Sequence, residues 1–256
     1  MKINVLKMTA LLALASVSAY AGPDSKDMKM SVAPTPPPSD EGFYVAAYGG
    51  AQFATDYGNE RRNLALGGGN VDVPSPTTQD DWGGAGGIKV GYNFESYDIC
   101  EGFRLQPAVE GEGLYLGTTS RATSAIPLAE NTSYNSAAWF VNGIVRFKFD
   151  FPVKPYIGLG VGGQYITTHS EFSPNGIPLH VTGMNGDDVD FAFQALAGFD
   201  YEVCPHWVLF TEYKFIDALG TDIKYTNVGG VSGLDYRFKP DQIQQHLITA
   251  GVKYNF

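Results

Sequence analysis

The last eleven residues, 246–256, alternate without a break after the opening His246. Ile248, Ala250, Val252, Tyr254 and Phe256 form an apolar set, and Leu247, Thr249, Gly251, Lys253 and Asn255 a smaller, more polar one. Side chains of a strand point to opposite faces at every second residue, so this stretch has one oily face and one wet face. Such a strand must bury one side and hydrate the other, and few folds offer it both.

The same pattern recurs upstream in eight segments, approximately 43–54, 82–94, 103–116, 135–149, 154–168, 189–202, 207–219 and 242–256. The connections after the first, third, fifth and seventh are long, roughly 18–27 residues and rich in Gly, Asn, Asp, Ser and Pro, whereas the other three span about 4–8. Long and short ends therefore alternate. An even strand number places both chain ends on the short-turn side, the arrangement of bacterial membrane barrels with short periplasmic turns and long external loops. With 31 glycines, 31 Phe plus Tyr and 17% charged residues, the composition suits an all-β chain.

Lys2 and Lys7 flank the start of an apolar run from Met8 to Val17, and Ala19-Tyr20-Ala21 has the small-x-small form of a signal-peptidase site, so residues 1–21 read as an export signal. Its removal takes the formal charge from −10 to −12. An acidic chain without Lys/Arg clusters is a poor ligand for phosphate backbones, and no nucleic-acid partner is expected. Residues 22–42, including Pro34-Thr-Pro-Pro-Pro38, read as an extended periplasmic linker, and 43–256 as one domain of a mature chain of about 235 residues.

Residue size indicates which face meets solvent. The fourth segment sets Trp139, Val141, Gly143, Val145, Phe147 and Phe149 against Phe140, Asn142, Ile144, Arg146 and Lys148. The second sets Trp82, Ile88, Val90, Tyr92 and Phe94 against Gly83, Ala85, Gly87, Lys89, Gly91 and Asn93. Bulk sits on the apolar face. Large aromatics gather near segment ends (Phe43 and Phe53, Phe103 and Tyr115, Phe191 and Tyr201, Trp207), the layering of two membrane-interface girdles.

The polar face carries Lys89, Arg104, Arg146, Lys148, Lys214 and Lys253 with Glu110, Glu112, Asp200, Glu202 and Glu212. Each Lys or Arg turned to lipid near the midplane would cost about 2–4 kcal/mol, so these groups are expected inside. Eight strands leave an interior just wide enough for side chains to fill, and the eleven charges are expected there as a packed ion-pair network.

These features together resemble the OmpA-type eight-strand outer-membrane β-barrel family over residues 43–256, with Val252-Lys-Tyr-Asn-Phe256 as its short terminal motif. The resemblance implies an eight-stranded antiparallel up-and-down transmembrane barrel and an outer-membrane location with extracellular loops. It implies a monomer in contact with outer-membrane lipid and lipopolysaccharide, and a structural, adhesive or minor permeability role. It also marks Tyr254 and Phe256 as the signal read by the barrel-assembly machinery. The peptidoglycan-binding domain that follows the barrel in longer members is not expected here, and with it no cell-wall tether at that end.

Two rivals share the eight-strand form. A lipid A-modifying enzyme needs a His, a Ser and an acid within reach at the outer rim. His169-Ser170-Glu171 is the nearest match, but neighbours on a strand point to opposite faces, and His180, His206 and His246 fit no such site; no catalytic residue is assigned. A diffusion pore requires an unplugged lumen, whereas water-filled porins use about 16–18 strands. Gly158-Leu-Gly160-Val-Gly-Gly163 has dinucleotide-fingerprint spacing but continues into a strand, not a helix, and reads as packing; no cofactor is expected. Asn131-Thr-Ser133 is a glycosylation sequon by pattern only. Asn185-Gly-Asp-Asp-Val-Asp190 lacks calcium-loop spacing and reads as a solvated acidic loop, as Arg61 and Arg62 read as surface charge. Cys100 and Cys204 fall in the first and third short turns. A bridge between them is expected, provided the first turn folds under the barrel to bring the Cα atoms within about 7 Å.

Overall fold

The computed structural model describes residues 41–56, 61–66, 69–73, 78–123, 128–174, 181–225, 234–239 and 242–256. The export signal and all but the last two residues of the linker lie outside them. So do the side chains of Arg61, Arg62, Asn131 to Ser133, Ser170, Glu171 and His180.

Eight long strands form the wall: β1 (Gly42–Asp56), β4 (Thr78–Asn93), β6 (Phe103–Thr123), β7 (Leu128–Phe149), β8 (Val153–Pro174), β9 (Val181–Glu202), β10 (Trp207–Leu219) and β13 (Gln242–Asn255). Each pairs antiparallel with its neighbour in the chain, and β1 closes on β13 through Tyr44 opposite Asn255 and Ala51 opposite Ile248. The result is a closed eight-stranded antiparallel barrel without a free wall edge. A short strand, β5 (Tyr97–Cys100), extends β6 at the short-turn end.

Alternation decides the two faces as expected. Along β10 exposed and buried residues alternate from Trp207 to Lys214, and β7 does so from Asn135 to Arg146. The lipid face carries Val141, Leu159, Val161 and Ile248, all at least half exposed. Aromatics bound it above and below: Phe43 and Phe53, Trp82 and Tyr92, Trp139 and Phe149, and Phe191 and Tyr201 are each ten residues apart on one strand. Ten steps rise about 33 Å along a strand, or about 25 Å along the axis of a barrel whose strands tilt roughly 40°, the height of an outer-membrane apolar band. Ring contacts knit the lower girdle, as in Phe43–Tyr92 at 4.9 Å and Trp207–Tyr254 at 5.0 Å. In the upper one His246 stacks on Phe53 and bonds the Tyr213 hydroxyl at 2.6 Å.

The long connections differ from the irregular loops expected of them. β6 with β7 and β8 with β9 run on as paired hairpins well beyond the girdle, because a ladder partner satisfies backbone groups that a loop would leave to water. The first and fourth connections contribute β2 (Arg61–Leu66), β3 (Gly69–Val73), β11 (Ile223–Tyr225) and β12 (Leu234–Lys239), which pair in the order β11-β12-β2-β3 as a second small sheet. The Asn185–Asp190 segment is likewise part of β9, not a loop.

Candidate functional site

The lumen is the site, and it is built in tiers. Glycines opposite aromatics shape it. Tyr44 is paired with Gly91, Tyr48 with Gly87, Tyr156 with Gly198 and Phe210 with Gly251, and each ring lies across its partner's backbone. A Cβ on Gly91 would stand 2.3 Å from the Tyr44 ring, and one on Gly198 2.6 Å from Tyr156. These inward aromatics were not expected, since bulk was assigned to the lipid face. The glycine opposite each one is the signal in the sequence, legible only once register is known.

The rings reach into a central ionic tier. Lys89 Nζ lies 2.9 Å from Glu212 and 3.2 Å from Glu110, and Lys214 Nζ lies 3.0 Å from Glu212 and contacts Glu112. Tyr156 donates to Glu212 at 3.0 Å and Tyr44 to Glu110 at 2.9 Å, while Tyr48 donates to Glu112. Asn142 donates to Glu110 and Glu112, both at 3.1 Å, and Gln194 donates to Glu112 at 2.7 Å. Tyr48 also offers its ring face to Lys214, 4.5 Å from the centroid. All five charged groups are at most 5% exposed, and such charges persist only when paired and hydrogen-bonded.

Below, toward the short turns, Arg146 donates from Nε to Asp200 at 3.0 Å, from Nη1 to Asn93 at 2.7 Å and from Nη2 to Tyr44 at 3.3 Å. Lys253 also contacts Asp200. Lys148 and Lys154 are buried beside a cavity of about 400 Å³ that opens at this end. Two of the eleven expected interior charges stand at its margin. Arg104 is half-buried at the start of β6, beside Asp98, Cys100 and Asp150, and Glu202 is exposed at the end of β9, pairing with Lys154. Both occupy strand ends, where the wall no longer covers them. Lys154 itself was missed, because Pro155 and the adjacent turn hide the alternation there.

Above the ionic tier the ion pairs give way to a mixed packing, in which buried Gln52, Ser136, Gln164, Asp190 and Gln245 stand among apolar side chains and Gln164 donates to Ser136 at 2.9 Å and to Gln245 at 3.2 Å. Leu116, Ile166, Ala192, Ile216, Ala218, Ile243 and Leu247 pack with Ile223 and Tyr225 of β11, which folds in from the fourth connection. Ile223 nests against Gly186, and the Tyr225 and Thr168 hydroxyls lie 2.6 Å apart. Gly220, at φ +90°, makes the turn that sends β11 inward.

Other expected groups fall as follows. Cys100 and Cys204 are exposed and free, so the expected bridge is not formed; Cys100 is held in the β5–β6 ladder and Cys204 in the turn before β10. Asp187 points out toward the Tyr165 hydroxyl, while Asp188 accepts from the Asp222 amide at 2.6 Å and Asp190 from Thr221. Alternation thus splits these carboxylates between faces, and among the described residues no cluster of three His, Cys, Asp or Glu is set to hold a metal. His169 faces outward from β8, and His206 donates from Nδ1 to the Asn255 carbonyl, 2.9 Å away. Gly158, Gly160 and Gly162 lie inside a continuous strand and pack against β7 and Leu196. Tyr254 packs edge-on to Trp207 and Phe256; the Phe256 ring is exposed and its amide donates to Phe43 O at 3.0 Å.

The family model for the outer membrane protein beta-barrel domain matches residues 8–256. The chain belongs to that family. As a member of the outer membrane protein β-barrel family, its place is the bacterial outer membrane. Uncharacterized proteins of Brucella abortus and Brucella melitensis are 24% identical over 275 residues, covering 95% of each chain. Among solved structures, the chain is similar to the outer membrane protein OprG from Pseudomonas aeruginosa, at 13% identity and TM-score 0.48, covering 84% of this chain and 96% of that one. It is also similar to the attachment invasion locus protein Ail of Yersinia pestis, at 15% identity and TM-score 0.33, covering 84% and 99%.

Proposed function

We propose that this family member is a structural or surface-interaction protein whose barrel does not conduct solute. One observation carries the reading: an ionic tier and a packed tier of apolar and amide side chains fill the lumen in series, the second closed by Ile223 and Tyr225. A solute on the axis would have to strip Lys89 and Lys214 of their carboxylates and then displace the packed upper tier. That favours a plugged barrel over the porin-like alternative. The chain refolded into planar bilayers is expected to be silent; steady single-channel conductance would overturn this reading.

The long-hairpin end, with its second sheet, is then the face offered to the surroundings, and both chain ends face the periplasm. Contact with lipopolysaccharide, monomeric behaviour and recognition of Tyr254 and Phe256 by the assembly machinery belong to the same proposal. Orientation is testable with the native thiols. In intact cells a membrane-impermeant maleimide should leave Cys100 and Cys204 unlabelled until the outer membrane is permeabilised, while Lys224→Cys, at the exposed middle residue of β11, should react at once. The reverse pattern would invert the orientation.

A further inference from the structure

On the outer wall of the long hairpins, polar side chains converge around Thr167 of β8. Asn135 of β7 and Asp187 of β9 stand directly opposite it across the two ladders, while Tyr165 and His169 are its neighbours on the same face of β8. Together with Thr168 and Gly186 they line a surface cup of about 310 Å³.

Hydrogen bonds fix the shape of this cup. Tyr165 donates to Asp187 Oδ2 at 3.4 Å, Thr167 donates to the Asn135 carbonyl at 3.1 Å, and Tyr115 of β6 donates to Asn135 Oδ1 at 2.8 Å. Asn135 and Asp187 are both exposed. The bonds engage one oxygen of the Asp187 carboxylate and only the oxygen of the Asn135 amide, so an acceptor on one wall and N–H donors on the other are left to meet a ligand.

Height and charge decide which ligand fits. Asn135 is four residues from Trp139, and Asp187 four from Phe191, both members of the upper girdle. Four strand steps, tilted like the wall, raise the cup about 10 Å above that girdle, out of the hydrocarbon and into the layer of polar headgroups. Among the described residues its lining holds one carboxylate and no Lys or Arg, so a phosphate would meet repulsion and no cationic partner. Sugar hydroxyls suit it instead, because they donate to a carboxylate and accept from an amide, and the exposed Tyr165 ring offers an apolar surface to the C–H face of a sugar. A small concavity with a few convergent polar groups is the usual form of a site for such a molecule.

We propose that this cup binds a neutral sugar unit of the outer-leaflet glycolipid, with Asp187 accepting from one hydroxyl and Asn135 donating to a neighbouring one. The inference deepens the surface-interaction reading above and rests on it for the compartment. It names sugar hydroxyls, not lipid phosphates, as the groups this wall recognises.

The experiment is a saturation-transfer NMR titration of the detergent-refolded chain, mature from Gly22, scored on protein that keeps the heat-modifiable mobility of a folded barrel. The probe is the deacylated, dephosphorylated oligosaccharide of a rough-type lipopolysaccharide, run beside the same oligosaccharide with its phosphates intact. Saturable binding is expected, equally strong for both forms and insensitive to salt. Asp187→Ala should weaken it about tenfold, the size of one hydrogen bond to a charged group. Thr167→Tyr, which fills the cup and leaves Asp187 and Asn135 in place, should abolish it, and Asp98→Asn, at the other end of the barrel, should change nothing. Absence of saturation, or indifference to Asp187→Ala and Thr167→Tyr, would overturn the proposal, and binding of the phosphorylated form alone would replace the sugar with a lipid phosphate. Binding in detergent does not depend on which way the barrel faces, so a failed titration removes the sugar site alone, whereas a reversed thiol-labelling pattern removes the orientation alone.

Discussion

At the scale of single residues, the lumen depends on matched pairs. Gly91 and Gly87 exist because Tyr44 and Tyr48 lie across them, and a side chain there meets an aromatic ring, not space. Gly91→Ala should destabilise the barrel by about 1–3 kcal/mol in urea unfolding from lipid or detergent, the usual penalty of overpacking. Gly84→Ala, where nothing lies within 4 Å, should cost nothing measurable by the same assay. Lys214→Met removes the cation between Glu112 and Glu212 and leaves three buried carboxylates, Glu110, Glu112 and Glu212, with Lys89 as the one cation of their tier. A loss of about 3–5 kcal/mol is expected, partly recovered by adding Glu112→Gln, because the penalty belongs to the uncompensated charge more than to the lost pair. If the double variant proved no better than the single, the ionic tier would not be acting as a charge-balanced unit.

At the scale of elements, the wall and the loop sheet obey different rules. Wall strands are fixed by lipid on one side: Val145→Arg, on the exposed face of β7 midway between the girdles, should cost about 2–4 kcal/mol, read as a lower urea midpoint. The small sheet is fixed at its surface by a fork in which Arg237 donates from Nε to Asp222 Oδ1 at 2.6 Å and from Nη2 to Oδ2. Those hydrogen bonds hold the Asp222 carboxyl below the ordinary carboxylate range. A lowered carboxylate contributes stability above the unfolded value of about 3.9 and loses it as pH falls through the folded one. Amide exchange in β11 and β12 should therefore quicken below about pH 4 relative to an Asp222→Asn control, whose protection lacks that dependence. Equal profiles for the two chains would remove Asp222 from any role in holding β11 inward.

At the scale of the whole molecule, closure and plugging are separate facts. The barrel closes because β1 finds β13 in a register that keeps Lys253 and Leu247 inside and Val252 and Ile248 outside; a slip of one residue would exchange them. The plug depends on β11, contributed by a connection and not by the wall. Ile223→Asp with Tyr225→Asp should loosen the upper tier without opening a conducting path, since Lys89, Lys214 and their carboxylates still span the lumen below. Bilayer recordings of that variant should stay silent, and current in it would show that the upper tier alone blocks the barrel.

The sequence by itself determined the strand number, the two faces, the girdles and the inward course of the mid-strand charges, because period-two alternation is local and lipid tolerates only one answer for Lys89, Arg146 or Lys253. Tertiary structure alone decided the rest. Tyr44 belongs opposite Gly91, Lys154 joins the cations at the short-turn end, Arg104 and Glu202 stay at the rim, and β11 turns into the lumen because these depend on register and on strands meeting across a closed barrel. Cys100 and Cys204 show the same limit, since their separation is set by where two turns sit on the rim, a distance that no spacing along the chain encodes.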